Sequence, residues 1–98
     1  MNKQKVSNLL GLAQRAGKII SGEEMVVKAI QDRKVKLVFL AHDASPNLTK
    51  KIQDKSHYYQ VEVITVFSTL ELSIAVGKSR KVLAVTDAGF TKKMRSLM

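Results

Sequence analysis

Residues 35–47 have the sequence VKLVFLAHDASPN and contain the most informative change of pattern in the chain. The run 35–41 is nearly continuously apolar, which is typical of a central strand covered on both faces. Ser45 and Pro46 follow at the N-cap and first helical positions, where a hydroxyl and a proline are both favoured. The stretch therefore predicts a buried strand, a short loop and a helix that runs to about Tyr58.

Helix and strand alternate along the rest of the chain as well. Some segments repeat apolar residues every three or four positions, which is typical of helices. Others contain short apolar runs, which are typical of buried strands. Helices are predicted over residues 3–16, 21–32, 46–58, 69–77 and 88–98, and strands over residues 19–20, 35–41, 61–67 and 81–87. This alternation indicates an α/β fold with one domain over residues 1–98, a three-layer α/β/α sandwich around a small mixed four-stranded sheet.

Capping residues mark several of the predicted helix ends. The Ser-x-x-Glu pattern of a capping box occurs at Ser21 with Glu24 and again at Ser68 with Glu71. The helix that follows the first box is expected to bury Met25, Val26, Ala29 and Ile30. Because Glu24 and Lys28 are four positions apart, a helix-surface ion pair would explain both residues without any ligand.

The charge of the chain gives the first indication of function. Seventeen Lys and Arg residues face eight Asp and Glu residues, a formal net charge of +9. Eight basic and four acidic residues precede position 50, and nine basic and four acidic residues lie from position 50 onward, so both halves share the surplus. Such a surface attracts polyanions, and nucleic acid is the expected partner.

Composition disfavours several other classes of protein. Cysteine is absent, so neither a disulfide framework nor thiolate chemistry is expected. The N-terminal segment makes a poor signal peptide, and no segment approaches the ~18 apolar residues of a membrane-spanning helix. We therefore expect a cytoplasmic monomer without membrane contact.

An enzymatic role has little support in the sequence. The five glycines form neither a phosphate-binding loop nor a dinucleotide fingerprint, and the two histidines lack the spacing of ligands to one metal. His42 and Asp43, at the end of a predicted strand, are the best catalytic candidates. Ser45 would have to be their nucleophile, and it is better explained as a helix cap. No enzyme activity, cofactor or metal is expected.

The aromatic residues indicate how an RNA would be recognised. Trp is absent, and the five Phe and Tyr residues do not cluster as a stacking platform for unpaired bases. Tyr58 and Tyr59 are expected to close a helix against the sheet. Recognition through shape, phosphate contacts and polar base edges is therefore favoured, which indicates a structured RNA.

Three segments of the chain together resemble one known family. They are RAGKIISGEEMVVKAI (15–30), KLVFLAHDASPN (36–47) and ELSIAVGKSRKVLAV (71–85). As a set they are similar to the ribosomal-protein family of kink-turn RNA binders, the L7Ae/L30e superfamily, in its bacterial YlxQ-like branch. The resemblance covers essentially the whole chain and implies an α/β/α sandwich without catalytic activity. The implied partners are ribosomal RNA or another kink-turn-containing RNA, with ribosomal proteins as neighbours.

The resemblance also implies that RNA binds at the start of the second helix and at the loop before the last strand. In this chain those positions are Gly22, Glu23, Glu24, Met25 and Lys28, together with Gly77, Lys78, Ser79, Arg80 and Lys81. A helix N-terminus presents unpaired amides to phosphate, and a glycine allows close approach of the backbone. Lys18, Lys34 and Lys36 are expected around this site, along the flanking RNA backbone.

Two segments differ from the family pattern. Archaeal kink-turn binders carry Asn-Glu just after a Gly-x pair, and at those two positions this chain has Glu24 and Met25, unless a shifted register makes Glu23 and Glu24 the polar pair. The second loop is basic, with Lys-Ser-Arg-Lys at 78–81 in place of small apolar residues. Binding to RNA phosphates is consistent with both differences. The alternative is a protein-interaction module that docks an acidic partner on its basic face.

Overall fold

Five helices and four strands alternate along the chain in the computed structural model, which describes residues 1–98. In chain order they are α1 (Lys3–Arg15), β1 (Ile19–Ser21), α2 (Glu23–Gln31), β2 (Leu37–Leu40), α3 (Pro46–Tyr58), β3 (Glu62–Ile64), α4 (Thr69–Val76), β4 (Val82–Val85) and α5 (Ala88–Ser96). Every predicted element is present, and α3 has the predicted bounds. None of the helices is long and apolar enough to cross a membrane.

The four strands form one mixed sheet in the order β1-β4-β2-β3. β4 runs antiparallel to both of its neighbours, whereas β2 and β3 run parallel. Every residue of the two central strands is buried, which explains the continuous apolar run in the sequence. The predicted strand 61–67 is shorter in the structure because β3 is an edge strand with three paired residues, and the chain then leaves the sheet towards α4.

Helices cover both faces of the sheet, which confirms the three-layer α/β/α sandwich. α1, α4 and α5 lie on one face, and α2 and α3 lie on the other. Side chains of β2 alternate between two apolar cores, with Leu37 and Phe39 in the first and Val38 and Leu40 in the second. Because both cores anchor the strands, the loops at the two ends of the sheet start from defined positions.

Side chains cap four of the five helix N-termini. The caps are Asn2 at α1, Ser45 at α3, Ser68 at α4 and Asp87 at α5, and each accepts a hydrogen bond from an amide of the first turn. The predicted capping box of Ser68 and Glu71 is confirmed. Gly17 follows α1 with a φ of 73°, the left-handed conformation expected after a helix C-terminus.

The predicted capping box at the start of α2 is wrong. Ser21 is the last residue of β1 and pairs with Leu83, so the helix begins at Glu23 with Gly22 as its N-cap. Strand pairing prevails here because β1 continues alongside β4 to this residue. The hydroxyl of Ser21 is consequently free for another partner, the guanidinium of Arg80.

The face that α2 buries also differs from the prediction. Val27 is buried together with Val26, Ala29 and Ile30, whereas Met25 is 57% exposed. The expected ion pair between Glu24 and Lys28 does not form, because Lys28 lies 3.9 Å from the carboxylate of Asp32 instead. The exposed face of α2 therefore carries both polar residues and one large apolar residue.

The topology gives the molecule two distinct ends. β1, β2 and β3 finish at one end of the sheet, where β4 begins. We term this the α2 end, because it carries Gly22, the loop 77–81 and the starts of α2, α3 and α4. The opposite end, termed the α5 end, carries Lys18, the segment 32–36, Thr86 and the start of α5.

Candidate nucleic-acid interface

Gly22 joins β1 to α2 in a backbone conformation that favours glycine. Its φ is 93° and its ψ is 151°, a region that residues with a side chain rarely adopt. Its amide donates to the carbonyl of Val82 over 3.2 Å, which ties the junction to the start of β4. A Cβ at this position would meet no atom within 4 Å, so the backbone conformation, and not crowding, requires glycine.

The N-terminus of α2 is the one helix start without a side-chain cap. The amides of Glu23, Glu24 and Met25 have no hydrogen-bond partner within the protein, because first-turn amides lack intrahelical acceptors. Such amides and the positive end of the helix dipole attract an anion. The carboxylate of Glu23 is engaged by Lys51 of α3 at 3.0 Å, which partly offsets its charge.

Arg80 brings the loop 77–81 next to this helix start. Its Nε donates to the hydroxyl of Ser21 over 2.9 Å, and its Nη1 donates to the carbonyl of Ser79 over 2.7 Å. The two bonds hold the guanidinium beside the residue that precedes Gly22. The structure therefore brings together the two segments that the family resemblance implicated, although Arg80 and Ser21 are 59 positions apart.

The loop 77–81 is anchored within the fold. Gly77 has the left-handed conformation after α4, with a φ of 80°, and the carbonyl of Lys81 accepts from the amide that follows β2 over 2.8 Å. The hydroxyl of Ser73 accepts from the amide of Arg80 over 3.0 Å and donates to its carbonyl over 3.3 Å. The predicted binding residues Lys78, Ser79 and Lys81 are exposed on this anchored loop.

Lys28 extends the exposed surface of α2 away from the helix start. It lies on the same face as Glu24 and Met25, at four and three positions from them. Its amine points towards Asp32 at the C-terminal end of the helix, and no hydrogen bond joins it to the loop 77–81. Lys28 is therefore placed for a contact along α2, whereas Arg80 is placed at the helix start.

The exposure of two apolar residues at the α2 end was not predicted from the sequence. Leu70 and Ile74, four positions apart on α4, are 68% and 71% exposed. They line a shallow groove together with Lys78 and Ser79 of the neighbouring loop. The sequence of α4 does indicate this, because its apolar residues lie on more than one face of the helix, and only one face can pack against the core.

Three of the predicted binding residues lie elsewhere, at the α5 end. Lys18 precedes β1, and its carbonyl accepts from the amide of Thr86 over 3.0 Å. Lys34 and Lys36 precede β2 and line a groove there. At ~3.3 Å per residue, the path along β4 from Lys81 to Thr86 covers about 17 Å. The expectation that these three lysines surround the Gly22 site is therefore wrong, because the strands carry them to the opposite end of the sheet.

Asp43 has a structural role in the fold. Its carboxylate accepts from the hydroxyl of Thr69 over 2.7 Å and from the amide of the same residue over 2.9 Å. These two bonds hold the pKa of Asp43 below its ordinary value, and the bond from the Thr69 hydroxyl has the larger effect. The carboxylate thereby fastens the loop after β2 to the start of α4. No group of three or more His, Asp or Glu side chains is arranged to hold a metal ion.

The aromatic side chains form two separate pairs. The rings of Phe39 and Phe67 are 5.8 Å apart inside the first core. Tyr58 and Tyr59 meet edge to face at 4.8 Å, and Tyr58 is exposed, so the expectation that it packs on the sheet is wrong. Bases that contact the α2 end would meet aliphatic and polar side chains.

Comparison with known proteins assigns this chain to a family. Residues 4–95 match the model of the ribosomal protein L7Ae/L30e/S12e/Gadd45 family. The chain is 50% identical over 97 residues to the RNA-binding protein YlxQ of Enterococcus faecium, which covers 99% of this chain and 94% of that protein. It is also 50% identical over 91 residues to the RNA-binding protein YlxQ of Bacillus subtilis (strain 168), which covers 92% and 91%.

The fold is shared with a solved structure of a relative. A protein with unknown function from Bacillus halodurans C superposes with a TM-score of 0.90 at 46% identity, covering 95% of each chain. A more distant similarity, 28% identity over 92 residues, extends to the large ribosomal subunit protein eL30 of Tetrahymena thermophila and covers 91% of this chain and 88% of that protein. Bacterial and eukaryotic relatives thus share this sequence pattern.

Proposed function

Because the chain belongs to the ribosomal protein L7Ae/L30e/S12e/Gadd45 family, as its motifs predicted, we propose that it is a non-catalytic protein that binds structured RNA through the α2 end. The contact surface comprises Gly22, the first turn of α2 and the loop 77–81. The observation that carries the proposal is the uncapped start of α2 beside Arg80. Two relatives at 50% identity that are named RNA-binding proteins support it.

A phosphate of the RNA would occupy the start of α2. The free amides of Glu23, Glu24 and Met25 supply hydrogen-bond donors that no other group of the protein uses. The guanidinium of Arg80 is held against Ser21, the residue before Gly22, and can bind a second phosphate oxygen, since it keeps donors beyond its bonds to Ser21 and Ser79. This combination favours backbone contact and sets the orientation of the RNA.

Base contacts would come from the side chains around that phosphate. The carboxylate of Glu24 is in no ion pair and can accept from the amino group of a base. Met25, Leu70 and Ile74 present exposed aliphatic surface to base faces. The expected recognition is therefore mixed, with phosphates held by amides and cations and bases placed against aliphatic side chains.

The finer part of the proposal is that the RNA is a kink-turn or a similarly bent element, with ribosomal RNA as its expected source. The α2 end presents two adjacent contact segments, the helix start and the loop 77–81, and a bent RNA can bring backbone phosphates to both. Family membership and the similarity to the ribosomal protein eL30 support this source. We propose that the protein acts as a cytoplasmic monomer, with ribosomal proteins as neighbours.

Fluorescence anisotropy with two labelled RNAs tests the proposal. One RNA contains a kink-turn, and the matched RNA has complementary strands throughout, so that it forms a straight duplex. We expect tighter binding to the bent RNA and a loss of about tenfold or more in the variant Arg80→Ala/Lys81→Ala. The slope of log affinity against log salt should fall by about 0.9 per phosphate contact removed.

A second variant controls for the loss of charge. Lys5→Ala/Lys50→Ala also removes two positive charges, but from exposed positions on α1 and α3. It should bind the bent RNA nearly as well as the unsubstituted protein. Equal weakening in both double variants would show that net charge, and not the α2 end, drives binding.

The alternative function is a protein-interaction module that docks an acidic partner. The exposed Leu70 and Ile74 beside the cations of the loop 77–81 favour it, because protein interfaces combine apolar anchors with charge complementarity. Affinity capture from cells, followed by nuclease treatment, separates the two functions. A partner that stays bound after complete RNA digestion would support the module.

A further inference from the structure

A second concentration of positive charge lies at the α5 end of the molecule. A groove of about 300 Å³ lies between the end of β4, the first turns of α5 and the segment 34–36. Its basic lining residues are Lys34, Lys36, Lys92 and Arg95, and Asp87 is its one acidic residue. Four cations and one carboxylate leave the lining with a formal charge of +3.

The acidic side chains around this groove are already engaged. Asp32 lies 3.9 Å from Lys28, and Glu62 accepts from Arg95 at 2.9 Å. The carboxylate of Asp87 accepts from the amide of Phe90 at the start of α5. Lys34, Lys36 and Lys92 have no carboxylate within ion-pairing distance, so their charges are free for an external anion.

Hydrogen bonds between distant segments fix the shape of the groove. Nη2 of Arg95 donates to the carbonyl of Lys36 over 3.2 Å, while Nε of the same side chain is held by Glu62. The amide and hydroxyl of Thr86 both donate to the carbonyl of Lys18, over 3.0 and 3.1 Å. The cations therefore project from anchored backbone in α5 and from the start of β2, and they do not belong to a flexible tail.

We propose that this groove is a second RNA-binding surface, which holds backbone phosphates independently of the α2 end. The path of about 17 Å along β4 separates the two surfaces, so one phosphate group cannot contact both. Val85 and Ala88 are the apolar residues of the lining, and no aromatic residue belongs to it. An acidic protein partner would lack the apolar anchors that stabilise protein interfaces, whereas RNA phosphates need the cations alone. This inference goes beyond the proposed function, which concerns the α2 end.

Amide chemical-shift mapping locates the contact directly. The probe is a blunt-ended RNA duplex one helical turn long, titrated into the ¹⁵N-labelled full chain. We expect shifts at Lys36, Thr86 and Lys92 in addition to those at Gly22 and Arg80. Absence of shifts at the α5 end while the α2 end responds would overturn this inference and leave the proposed function intact.

Two sets of substitutions separate the surfaces. Lys34→Ala/Lys36→Ala/Lys92→Ala removes the free cations of the groove, and Lys5→Ala/Lys50→Ala/Lys55→Ala removes three charges from α1 and α3. We expect the groove variant to lower the salt slope for duplex binding by roughly 2 to 3, at about 0.9 per phosphate contact. The groove variant should retain the shifts at Gly22, and its thermal unfolding should match that of the control. A salt slope equal to that of the control variant would overturn the inference.

Competition distinguishes the sources of the anion. Inorganic phosphate, added at the same phosphate concentration as the duplex, should leave the duplex-induced shifts of Lys36 and Thr86 unchanged. Full competition would show a site for a free small anion. If a polyglutamate peptide shifts these amides and the duplex does not, the groove binds an acidic protein, and the RNA assignment is wrong.

Discussion

Nε of Arg80 donates a hydrogen bond to the hydroxyl of Ser21 over 2.9 Å, and this contact joins the last residue of β1 to the loop before β4. The same hydroxyl would have capped α2 if the helix had begun one residue earlier. Ser21 instead pairs with Leu83 in β1, so the N-cap of α2 is Gly22, which has no side chain to bond the amides of the first turn. The contact between Arg80 and Ser21 holds the guanidinium against the residue that precedes Gly22, the uncapped start of α2, and it underlies the proposed RNA site.

Replacing Arg80 by lysine should weaken RNA binding although the charge is kept. An ammonium group cannot bond Ser21 and Ser79 while it also reaches a phosphate, because lysine lacks the planar fork of donors. We expect Arg80→Lys to lose a large part of the affinity that Arg80→Ala loses. Anisotropy titrations with kink-turn RNA at several salt concentrations measure this. Full affinity in Arg80→Lys would mean that the orientation of the guanidinium does not matter.

Substitution of Gly22 by alanine should cost about 1–3 kcal/mol of unfolding free energy, because its φ of 93° and ψ of 151° disfavour any side chain. Gly17→Ala is a matched control, since Gly17 also has a positive φ, of 73°, and a Cβ added there would meet no atom within 4 Å, but Gly17 lies at the other end of β1. Urea unfolding should show losses in both variants. RNA titration should show a specific loss in Gly22→Ala alone, and equal RNA binding would remove Gly22 from the site.

The serines at the two predicted capping boxes should behave differently. Ser68→Ala removes a true N-cap and should destabilise the protein by about 0.5–2 kcal/mol. Ser21→Ala removes no cap and should reduce RNA affinity through the loss of its bond to Arg80. Thermal unfolding and anisotropy measured on the same two variants test this. The assignment of roles would be reversed if Ser21→Ala gave the larger helix destabilisation and left RNA binding unchanged.

Asp43 should stabilise the fold in a pH-dependent way. Its pKa is lowered by the hydroxyl and amide of Thr69, so its stabilisation is present above the ordinary value of 3.8 and is lost as the pH falls through the lower folded-state value. Asp43→Asn should therefore melt at a lower temperature than the unsubstituted protein at neutral pH. The difference should shrink in acid. Asp54→Asn, which removes one exposed surface pair on α3, is the control.

Most of the fold could be predicted from local patterns. The apolar run 35–41, the capping residue Ser45 and the box at Ser68 each correspond to a structural element, because they depend on neighbours a few residues away. The box at Ser21 failed for a non-local reason. Its pattern is the same as that at Ser68, but pairing with Leu83 of a strand far along the chain extends β1 through Ser21.

The proposed binding site was predictable in part. The family motifs pointed to the segments around Gly22 and Arg80, and the structure places these next to each other. The motifs could not show that Lys34 and Lys36 lie at the opposite end of the sheet, because sequence order does not reveal strand direction. Nor could they separate buried from exposed apolar residues within α4, where Leu72 is buried and Leu70 is exposed.

The sequence by itself determined the order of helices and strands, most of their caps and the excess of positive charge, since these depend on local periodicity and composition. Only the tertiary structure decided that β4 lies between β1 and β2. That strand order joins Arg80 to Ser21, leaves the start of α2 uncapped and distributes the lysines over two ends. The physical reason is that backbone pairing across the sheet, and not the local preference of Ser21, determines where β1 stops and α2 begins.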